Sequence, residues 1–214
     1  FDGVVIANEL LDNLPFRLVR RESEGWSELH AALGADDELI EQFVSCPAET
    51  TTAFDRSLPD LPVGAEVPIP AAAIRWCRTA RALLHRGRLV VIDYGADTGL
   101  LAARTREGWL RTFRAHDRGV SPLSDVGRQD ITGDVPIDQL IDGVGEPSSH
   151  TSQADLLRAF GIEALVEEGR RQWEERGHVR DLAAIAGRSR VREAEALLDP
   201  DGLGAFRVLE WPAL

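Results

Sequence analysis

The chain has 214 residues, enough for one α/β domain, and with 43% hydrophobic and 28% charged residues it is globular rather than disordered or fibrous. Its 24 basic residues, all arginine, stand against 36 acidic ones, and the net charge of −12 argues against binding to the phosphate backbone of nucleic acid. No apolar run approaches the roughly 20 residues that cross a bilayer, and the sequence does not open with a signal-peptide pattern. We therefore expect a soluble, cytoplasmic protein with neither a nucleic-acid nor a membrane partner.

The first third of the chain begins with a predicted strand and continues with a hairpin. The continuous apolar run over residues 1–9 predicts a central strand of a parallel sheet, buried on both faces. A short helical turn over residues 10–14 follows, and residues 16–21 and 26–33 predict the two strands of the hairpin. Residues 45–70 contain five prolines and little periodicity, which predicts a long surface loop.

A helix followed directly by a strand predicts half of a βαβ unit. Apolar residues recur at helical spacing across residues 71–86, and Gly87 is expected to end that helix. The apolar run over residues 88–94 comes next and predicts a second buried strand. This order of elements indicates a parallel sheet, so the predicted fold class is α/β.

The rest of the chain alternates loops with shorter predicted elements. Residues 96–134 are rich in Gly, Asp and Arg and predict a loop with one strand at residues 109–114. Four helices are predicted, over residues 136–144, 154–160, 163–176 and 179–186. Ser152 and Asp155 form a capping box before the second of them, and a last strand is predicted over residues 205–211.

Polar residues follow both of the clearest strands at their carboxyl ends. Asn8, Glu9 and Asp12 follow the first strand, and Asp93 and Tyr94 follow the second. Ligands of open α/β sheets bind beyond the carboxyl ends of the strands, so these residues are candidates for one site. Asn8 and Asp12 could instead cap the following turn, but two neighbouring strands that both end in polar residues favour a site.

Generic chemical motifs are absent from the sequence. It contains no glycine-rich dinucleotide loop, P-loop, GxSxG or HExxH motif. Its two cysteines, Cys46 and Cys77, indicate neither a disulfide framework nor a zinc site, and no metal is expected. Of the five histidines, His116 alone lies in a loop dense with polar residues, although a lone histidine is more often structural than catalytic.

Six segments carry a resemblance to one family, in the order in which that family has them: VVIANELLDNLP (4–15), LVVIDYG (89–95), GWLRTFRAHDRG (108–119), GRQDITGDV (127–135), HTSQADLLRAFGI (150–162) and DGLGAFRVL (201–209). The chain resembles the MidA-like SAM-dependent methyltransferases, a family whose mitochondrial member is a complex I assembly factor that methylates an arginine. The resemblance implies S-adenosyl-L-methionine as the cofactor. It also implies a class I (Rossmann-like) fold, a doubly wound, mostly parallel seven-stranded sheet with helices on both faces. Residues 1–9, 89–94 and 205–211 would be its fourth, fifth and reversed seventh strands.

The same resemblance bears on domain organisation. In such folds an acidic, glycine-rich turn after the first strand holds the cofactor, and that turn would precede Phe1. We therefore expect residues 1–214 to be a single α/β domain, the C-terminal portion of the fold with an inserted loop and helical region, lacking that turn. Residues 143–150 are shorter and more polar than the family's sixth strand, and residues 133–134 also depart from its usual pattern.

The chemistry of methyl transfer then assigns roles to the candidates. A guanidinium nitrogen is a poor nucleophile because its lone pair is delocalised, and carboxylates that hold the group by bidentate hydrogen bonds localise its charge. Glu9 is the first choice for this clamp and Asp12 the second, with His116 as the proton acceptor. The predicted cofactor-binding residues are Asn8, Asp93 and Tyr94, and the predicted substrate-binding residues are Asp130, Thr132 and Gln153. For Asp130 and Thr132, hydrogen bonds that only brace the loop are an equal alternative.

Three functions remain open at this point. The leading one is methylation of an arginine in a protein substrate by an enzyme that forms a homodimer. The second is a non-catalytic assembly or binding module that keeps the fold. The third is methylation of a small molecule, which would require a closed apolar pocket rather than an open acidic groove.

Overall fold

The computed structural model describes residues 1–114, 117–124, 126–179 and 181–214. The strands in these ranges are β1 (Asp2–Asn8), β2 (Arg17–Arg21), β3 (Trp26–Leu33), β4 (Leu39–Ser45), β5 (Glu66–Ile69), β6 (Arg86–Asp93), β7 (Gly95–Ala96), β8 (Leu110–Arg114), β9 (Asp117–Arg118), β10 (Asp130–Gly133), β11 (Val135–Pro136), β12 (Ser149–Ser152) and β13 (Arg207–Pro212). The helices are α1 (Ala48–Ser57), α2 (Ala71–Ala82), α3 (Thr98–Ala102), α4 (Ile137–Val144), α5 (Gln153–Ala159), α6 (Ile162–Arg176) and α7 (Leu182–Leu198).

The main sheet has the strand order β1-β6-β13-β12. Strands β1 and β6 are parallel, with Val5 opposite Leu89, whereas β13 runs antiparallel to both of its neighbours. The predicted parallel pair and the reversed last strand are therefore confirmed. Of the seven strands that the resemblance implies, the described residues form four in this sheet.

Strand β1 lies at one edge of this sheet and is not buried on both faces, so that prediction was wrong. Ala7 is buried, whereas Val4 and Ile6, which point to the opposite face, are 54% and 64% exposed. An apolar run shows that a strand can tolerate burial, but its burial depends on which elements pack against each face.

Gly87 belongs to β6 and does not end the preceding helix, as the sequence had suggested. Helix α2 ends at Ala82, and β6 already begins at Arg86. The φ angle of Gly87 is +121°, and a Cβ on it would lie 1.7 Å from the carbonyl oxygen of Gly3 on β1. This glycine therefore permits the close approach of two strands.

A second sheet, of order β4-β3-β2-β5, is built from residues 17–69. Its β2–β3 hairpin was predicted, but the supposed loop over residues 45–70 contains helix α1 and strand β5. The prolines that suggested a loop occupy positions that tolerate them. Pro47 and Pro70 directly precede α1 and α2, and Pro68 lies in β5 at the sheet edge.

The hydrophobic core is divided between the two sheets. The larger part lies between the main sheet and helices α2 and α4 and includes Cys77, Leu89, Leu140, Leu209 and Trp211. A second part packs the second sheet against α1 and includes Val19, Trp26, Phe54 and Val67. The larger part includes Ala7 of β1 and Val91 of β6 and so positions the carboxyl ends of these strands, where the candidate site lies.

The C-terminal helices largely follow the predicted pattern. Helix α5 begins as expected, with the Ser152 hydroxyl accepting a hydrogen bond from the backbone N–H of Asp155 at 3.1 Å. Helix α7 extends to Leu198, well beyond the predicted end at residue 186, because Gly187 packs closely against Gly169 of α6 instead of ending the helix. Within the described ranges, no helix has the length and apolar character needed to span a membrane.

Candidate functional site

A cleft of about 850 Å³ opens at the carboxyl ends of β1 and β6. Its walls come from the turn after β1, the residues after β6, the small sheet of order β10-β8-β9 and the loop before β13. The volume falls within the roughly 300–1,000 Å³ of small-molecule sites.

The cleft brings together most, but not all, of the residues predicted to form a site. The predicted residues that line it are Glu9, Asp12, Tyr94, Asp130 and Thr132. Asn8, Asp93 and Gln153 are not part of its lining. His116 lies outside the described residues. The role predicted for each of these residues stays a prediction.

Glu9 stands at the rim of the cleft on a strained backbone. Its φ angle is +48°, in the left-handed region that side chains other than Gly, Asn and Asp rarely adopt. The strand ladder fixes this conformation, because the Glu9 N–H donates to the carbonyl of Ile92 at 2.9 Å. Such strain is characteristic of functional sites, where the surrounding structure over-determines the conformation.

Asp12 and Tyr94 form a hydrogen-bonded pair in the floor of the cleft. The Tyr94 hydroxyl donates to Oδ2 of Asp12, and the Asn13 amide donates to Oδ1 of Asp12 at 2.7 Å. Burial, followed by this bond to Asp12, raises the pKa of the Tyr94 phenol well above its usual range. The phenol therefore stays protonated and acts as a donor.

Asp93 lies beneath this pair and connects the ends of the two strands. Its Oδ2 accepts from the backbone N–H groups of Leu11 at 2.8 Å and Asp12 at 3.3 Å, and its Oδ1 accepts from the N–H of Tyr94 at 3.0 Å. Desolvation, together with the nearby charge of Asp12, raises the pKa of Asp93 to about 7. Its visible role in the structure is to hold the turn that carries Asp12 against Tyr94.

Asp134 neutralises the two arginines of the cleft. It forms ion pairs with Arg111 and with Arg104, the latter at 3.1 Å. Burial raises the pKa of Asp134, although both guanidinium groups act in the opposite direction. The Arg111 guanidinium also lies 4.9 Å from the centroid of the Tyr94 ring.

The cleft is acidic, because Asp134 neutralises both of its arginines. Its carboxylates belong to Glu9, Asp12, Asp130, Asp134 and Asp201, against the two guanidinium groups held by Asp134. The rings of Tyr94 and Phe206 add aromatic surface, with their centroids 5.5 Å apart. Carboxylates beside aromatic rings favour a cationic ligand.

Sequence reasoning missed several of these residues. Arg104, Arg111 and Asp134 were not proposed as part of the site, and neither were Asp201 and Phe206, although four of these five lie in or beside the segments that carried the family resemblance. Gln153 is buried behind the wall, where its N–H donates to the carbonyl of Phe206 at 2.8 Å.

A parallel strand pair, a reversed neighbouring strand and an acidic cleft beyond the carboxyl ends define a Rossmann-like α/β protein of the class I methyltransferase type. A family model of S-adenosyl-L-methionine-dependent methyltransferases matches residues 1–153. The chain therefore belongs to this family, as the resemblance implied.

Individual relatives agree with this family. The mitochondrial protein arginine methyltransferase NDUFAF7 of Xenopus tropicalis is 30% identical over 163 residues, which cover 74% of this chain and 36% of that protein. A Burkholderia thailandensis structure bound to S-adenosyl-homocysteine is 26% identical, with a TM-score of 0.79 over 98% of this chain and 53% of its own. A second structure from that organism is also 26% identical, with a TM-score of 0.80 over 99% of this chain and 55% of its own. The chain thus spans about a third to a half of the length of these relatives.

Proposed function

We propose that this chain carries the substrate-accepting side of a methyltransferase that transfers a methyl group from S-adenosyl-L-methionine to an arginine side chain of a protein. The observation that carries the proposal is the set of acidic side chains in the cleft. Within the described part of the chain, Glu9, Asp12, Asp130 and Asp201 form no ion pair with an arginine. Their charges are therefore available to a cationic substrate. The relative NDUFAF7 bears the name of a protein arginine methyltransferase, which supports the same substrate class.

The residues of the cleft fit the cofactor of the family. When bound, the cofactor supplies a methyl group on a positively charged sulfur, and an acidic, partly aromatic cleft suits that charge. Tyr94 lines the cleft and would contact the cofactor there, whereas Asn8 would act from the rim, where its amide donates to Glu9 at 3.5 Å. Asp93 would contribute through the backbone of Tyr94, because it is enclosed beneath the cleft.

Two carboxylates would form the clamp that holds the guanidinium group of the substrate. Glu9 and Asp12 would each accept N–H bonds from the guanidinium group and so orient one nitrogen for in-line attack on the methyl carbon. Methylation leaves that nitrogen with a surplus proton, and His116 is the predicted group to accept it. Asp130 and Thr132 would form the wall on the substrate side.

The proposed function carries expectations about the partners and the location of the protein. A protein substrate and a homodimer remain our expectations for the partners, and a cytoplasmic location remains our expectation for this chain. The relative NDUFAF7, by contrast, is named as mitochondrial.

The proposal is tested by binding first and by turnover second. Calorimetric titration should show that S-adenosylhomocysteine binds the chain, and mass spectrometry should then show methylation of an arginine peptide but not of its citrulline counterpart. Glu9→Gln should abolish methylation without weakening cofactor binding. The matched control is Asp37→Asn, which alters another acidic residue with positive φ that does not line the cleft.

The outcomes separate the three functions. Failure of the folded chain to bind S-adenosylhomocysteine would mean that the cofactor site needs the glycine-rich turn expected before Phe1, and continued failure after that turn is supplied would contradict the enzyme proposal and favour a non-catalytic binding module. Cofactor binding with methylation of small amines, but not of the peptide, would indicate a small-molecule substrate. Full activity in the Glu9→Gln variant would show that Glu9 is not part of the clamp.

A further inference from the structure

The hydroxyl of Tyr94 has one hydrogen-bond partner and a second one within reach. It donates to Oδ2 of Asp12. Thr132 lines the same cleft as Tyr94, and its hydroxyl, acting as a donor towards the Tyr94 oxygen, works to lower the pKa of the phenol. Yet Thr132 Oγ1 is enclosed and forms no hydrogen bond with any residue that the structure describes. A buried hydroxyl without a partner is uncommon and requires an explanation.

Neighbouring residues restrain both side chains of this pair. Asp12 is fixed through Oδ1 by Asn13 and through its backbone N–H by Asp93. The Tyr94 ring is held between Phe206, with centroids 5.5 Å apart, and the Arg111 guanidinium at 4.9 Å. The phenolic hydrogen can still rotate about the C–O bond, so the hydroxyl can change its acceptor without movement of the ring.

Thr132 is also fixed in position next to the cleft. In the pairing of β10 with β8, Thr132 lies opposite Arg111, and its side chain lines the cleft that Tyr94 and Asp12 share. A Tyr94 hydroxyl that turned away from Asp12 would therefore find an acceptor in Thr132. That change would satisfy the buried threonine and leave Oδ2 of Asp12 open to another donor.

We propose that Tyr94 is a specificity-determining residue whose hydroxyl donates to Asp12 and turns to Thr132 when a cationic N–H donor binds Asp12. A positively charged N–H donor forms a stronger bond with a carboxylate than a neutral phenol does, so a cation displaces the hydroxyl. A neutral donor of the same shape lacks this advantage, and Asp12 stays occupied. The cleft thereby selects a guanidinium group over its neutral isostere. This inference rests on the proposed function only in taking that donor to be the substrate's guanidinium group.

The sequence supplies a direct reporter of this change. Tyr94 is the only tyrosine in the chain, so tyrosine labelled with ¹³C at Cζ gives a single NMR resonance. The probes are methylguanidinium, a cation with N–H donors, and methylurea, its neutral analogue, each at millimolar concentration. Methylguanidinium should shift the resonance saturably, and methylurea should leave it unchanged. Asp12→Asn should abolish the response.

Thr132→Val tests the second acceptor, because it removes the hydroxyl and keeps the shape of the side chain. We expect it to weaken methylguanidinium binding about fivefold, the equivalent of one hydrogen bond. The matched control is Thr112→Val on β8, whose buried hydroxyl donates to the carbonyl of Val120 at 2.7 Å and which does not line the cleft. The control should retain the wild-type affinity.

The results distinguish this proposal from the proposed function. An equal response to methylurea, or unaltered binding in Thr132→Val, would overturn the role of Tyr94. The role of Tyr94 would also be overturned if the wild-type chain methylated an arginine peptide while its Tyr94 resonance did not respond to methylguanidinium. That result would leave the proposed function intact. A Tyr94 response to methylguanidinium without methylation of any arginine peptide would support the selection of cations and contradict the proposed function.

Discussion

Gly87 and Gly3 approach so closely across β6 and β1 that a Cβ on Gly87 would lie 1.7 Å from the carbonyl oxygen of Gly3. The two strands whose ends form the cleft therefore depend on the absence of a side chain at residue 87. We expect Gly87→Ala to lower the free energy of unfolding by about 3 kcal/mol, from strain and overpacking together. Thermal denaturation should show a fall of roughly 10 °C in Tm.

The variant Gly64→Ala separates the effect of backbone strain from that of overpacking. Gly64 also has a positive φ, +87°, but a Cβ there would meet nothing within 4 Å. Its replacement should cost only the backbone strain, about 1 kcal/mol. Equal losses in the two variants would show that the contact with Gly3 is unimportant.

Glu9 carries backbone strain that a glycine would relieve. Its φ angle is +48°, and Asp37 in the turn between β3 and β4 has a φ of +57°. Glu9→Gly should raise the free energy of unfolding by roughly 0.5–1 kcal/mol while abolishing methyl transfer. Asp37→Gly should stabilise less, because Asp tolerates this conformation better, and should leave activity unchanged. Chemical denaturation and the methylation assay together measure both effects, and an active Glu9→Gly variant would contradict the role of Glu9.

Asp93 should make the stability of the fold depend on pH. Its pKa is about 7 in the folded chain, above the ordinary value of 3.8, so the folded state binds more protons than the unfolded state between these values. Stability from this group is therefore present at low pH and is lost as the pH rises from about 4 towards 7. Asp93→Asn removes the titration, so the Tm of the variant should rise relative to that of the wild type between pH 5 and pH 8. A constant difference in Tm across this range would show that Asp93 does not titrate there.

Asp134 should matter both for stability and for the charge of the cleft. Asp134→Ala would leave Arg104 and the partly buried Arg111 without their carboxylate, which should cost about 2 kcal/mol in urea unfolding. The two released positive charges should also weaken binding of a cationic peptide. As a control, Glu167→Ala removes the exposed ion pair with Arg170 and should cost less than about 1 kcal/mol. Similar losses in both variants would contradict the structural role of Asp134.

The fold could be predicted where the sequence pattern is local. Apolar runs located β1 and β6, helical spacing located α2, and the cap of Ser152 located α5. Features that depend on distant partners could not be found in this way. The role of Gly87 is defined by Gly3, which lies more than 80 residues away in the chain, and the continuity of α7 through Gly187 depends on Gly169.

The difference between local patterns and contacts with distant residues also applies to the candidate site. Glu9, Asp12 and Tyr94 were predictable because the carboxyl ends of adjacent parallel strands meet at one edge of the sheet. The pattern did not reveal that the side chain of Asp93 turns beneath the cleft while that of Tyr94 faces it. The pairing of Asp134 with Arg104 and Arg111 arises only when β10 aligns with β8, and nothing in the local sequence specifies that alignment.

The position of β13 between β6 and β12 has a consequence for the order of folding during synthesis. More than 100 residues separate the end of β6 from the start of β13, so β6 emerges from the ribosome long before this neighbour exists. The second sheet, by contrast, draws all four strands from residues 17–69 and can close early. Contacts of long sequence separation form slowly, and an unpaired strand edge invites association with other chains. We therefore expect the main sheet, which carries the cleft, to be the last part of the protein to assemble. Until β13 pairs with it, the exposed edge of β6 is the part of the new chain most prone to association with other chains.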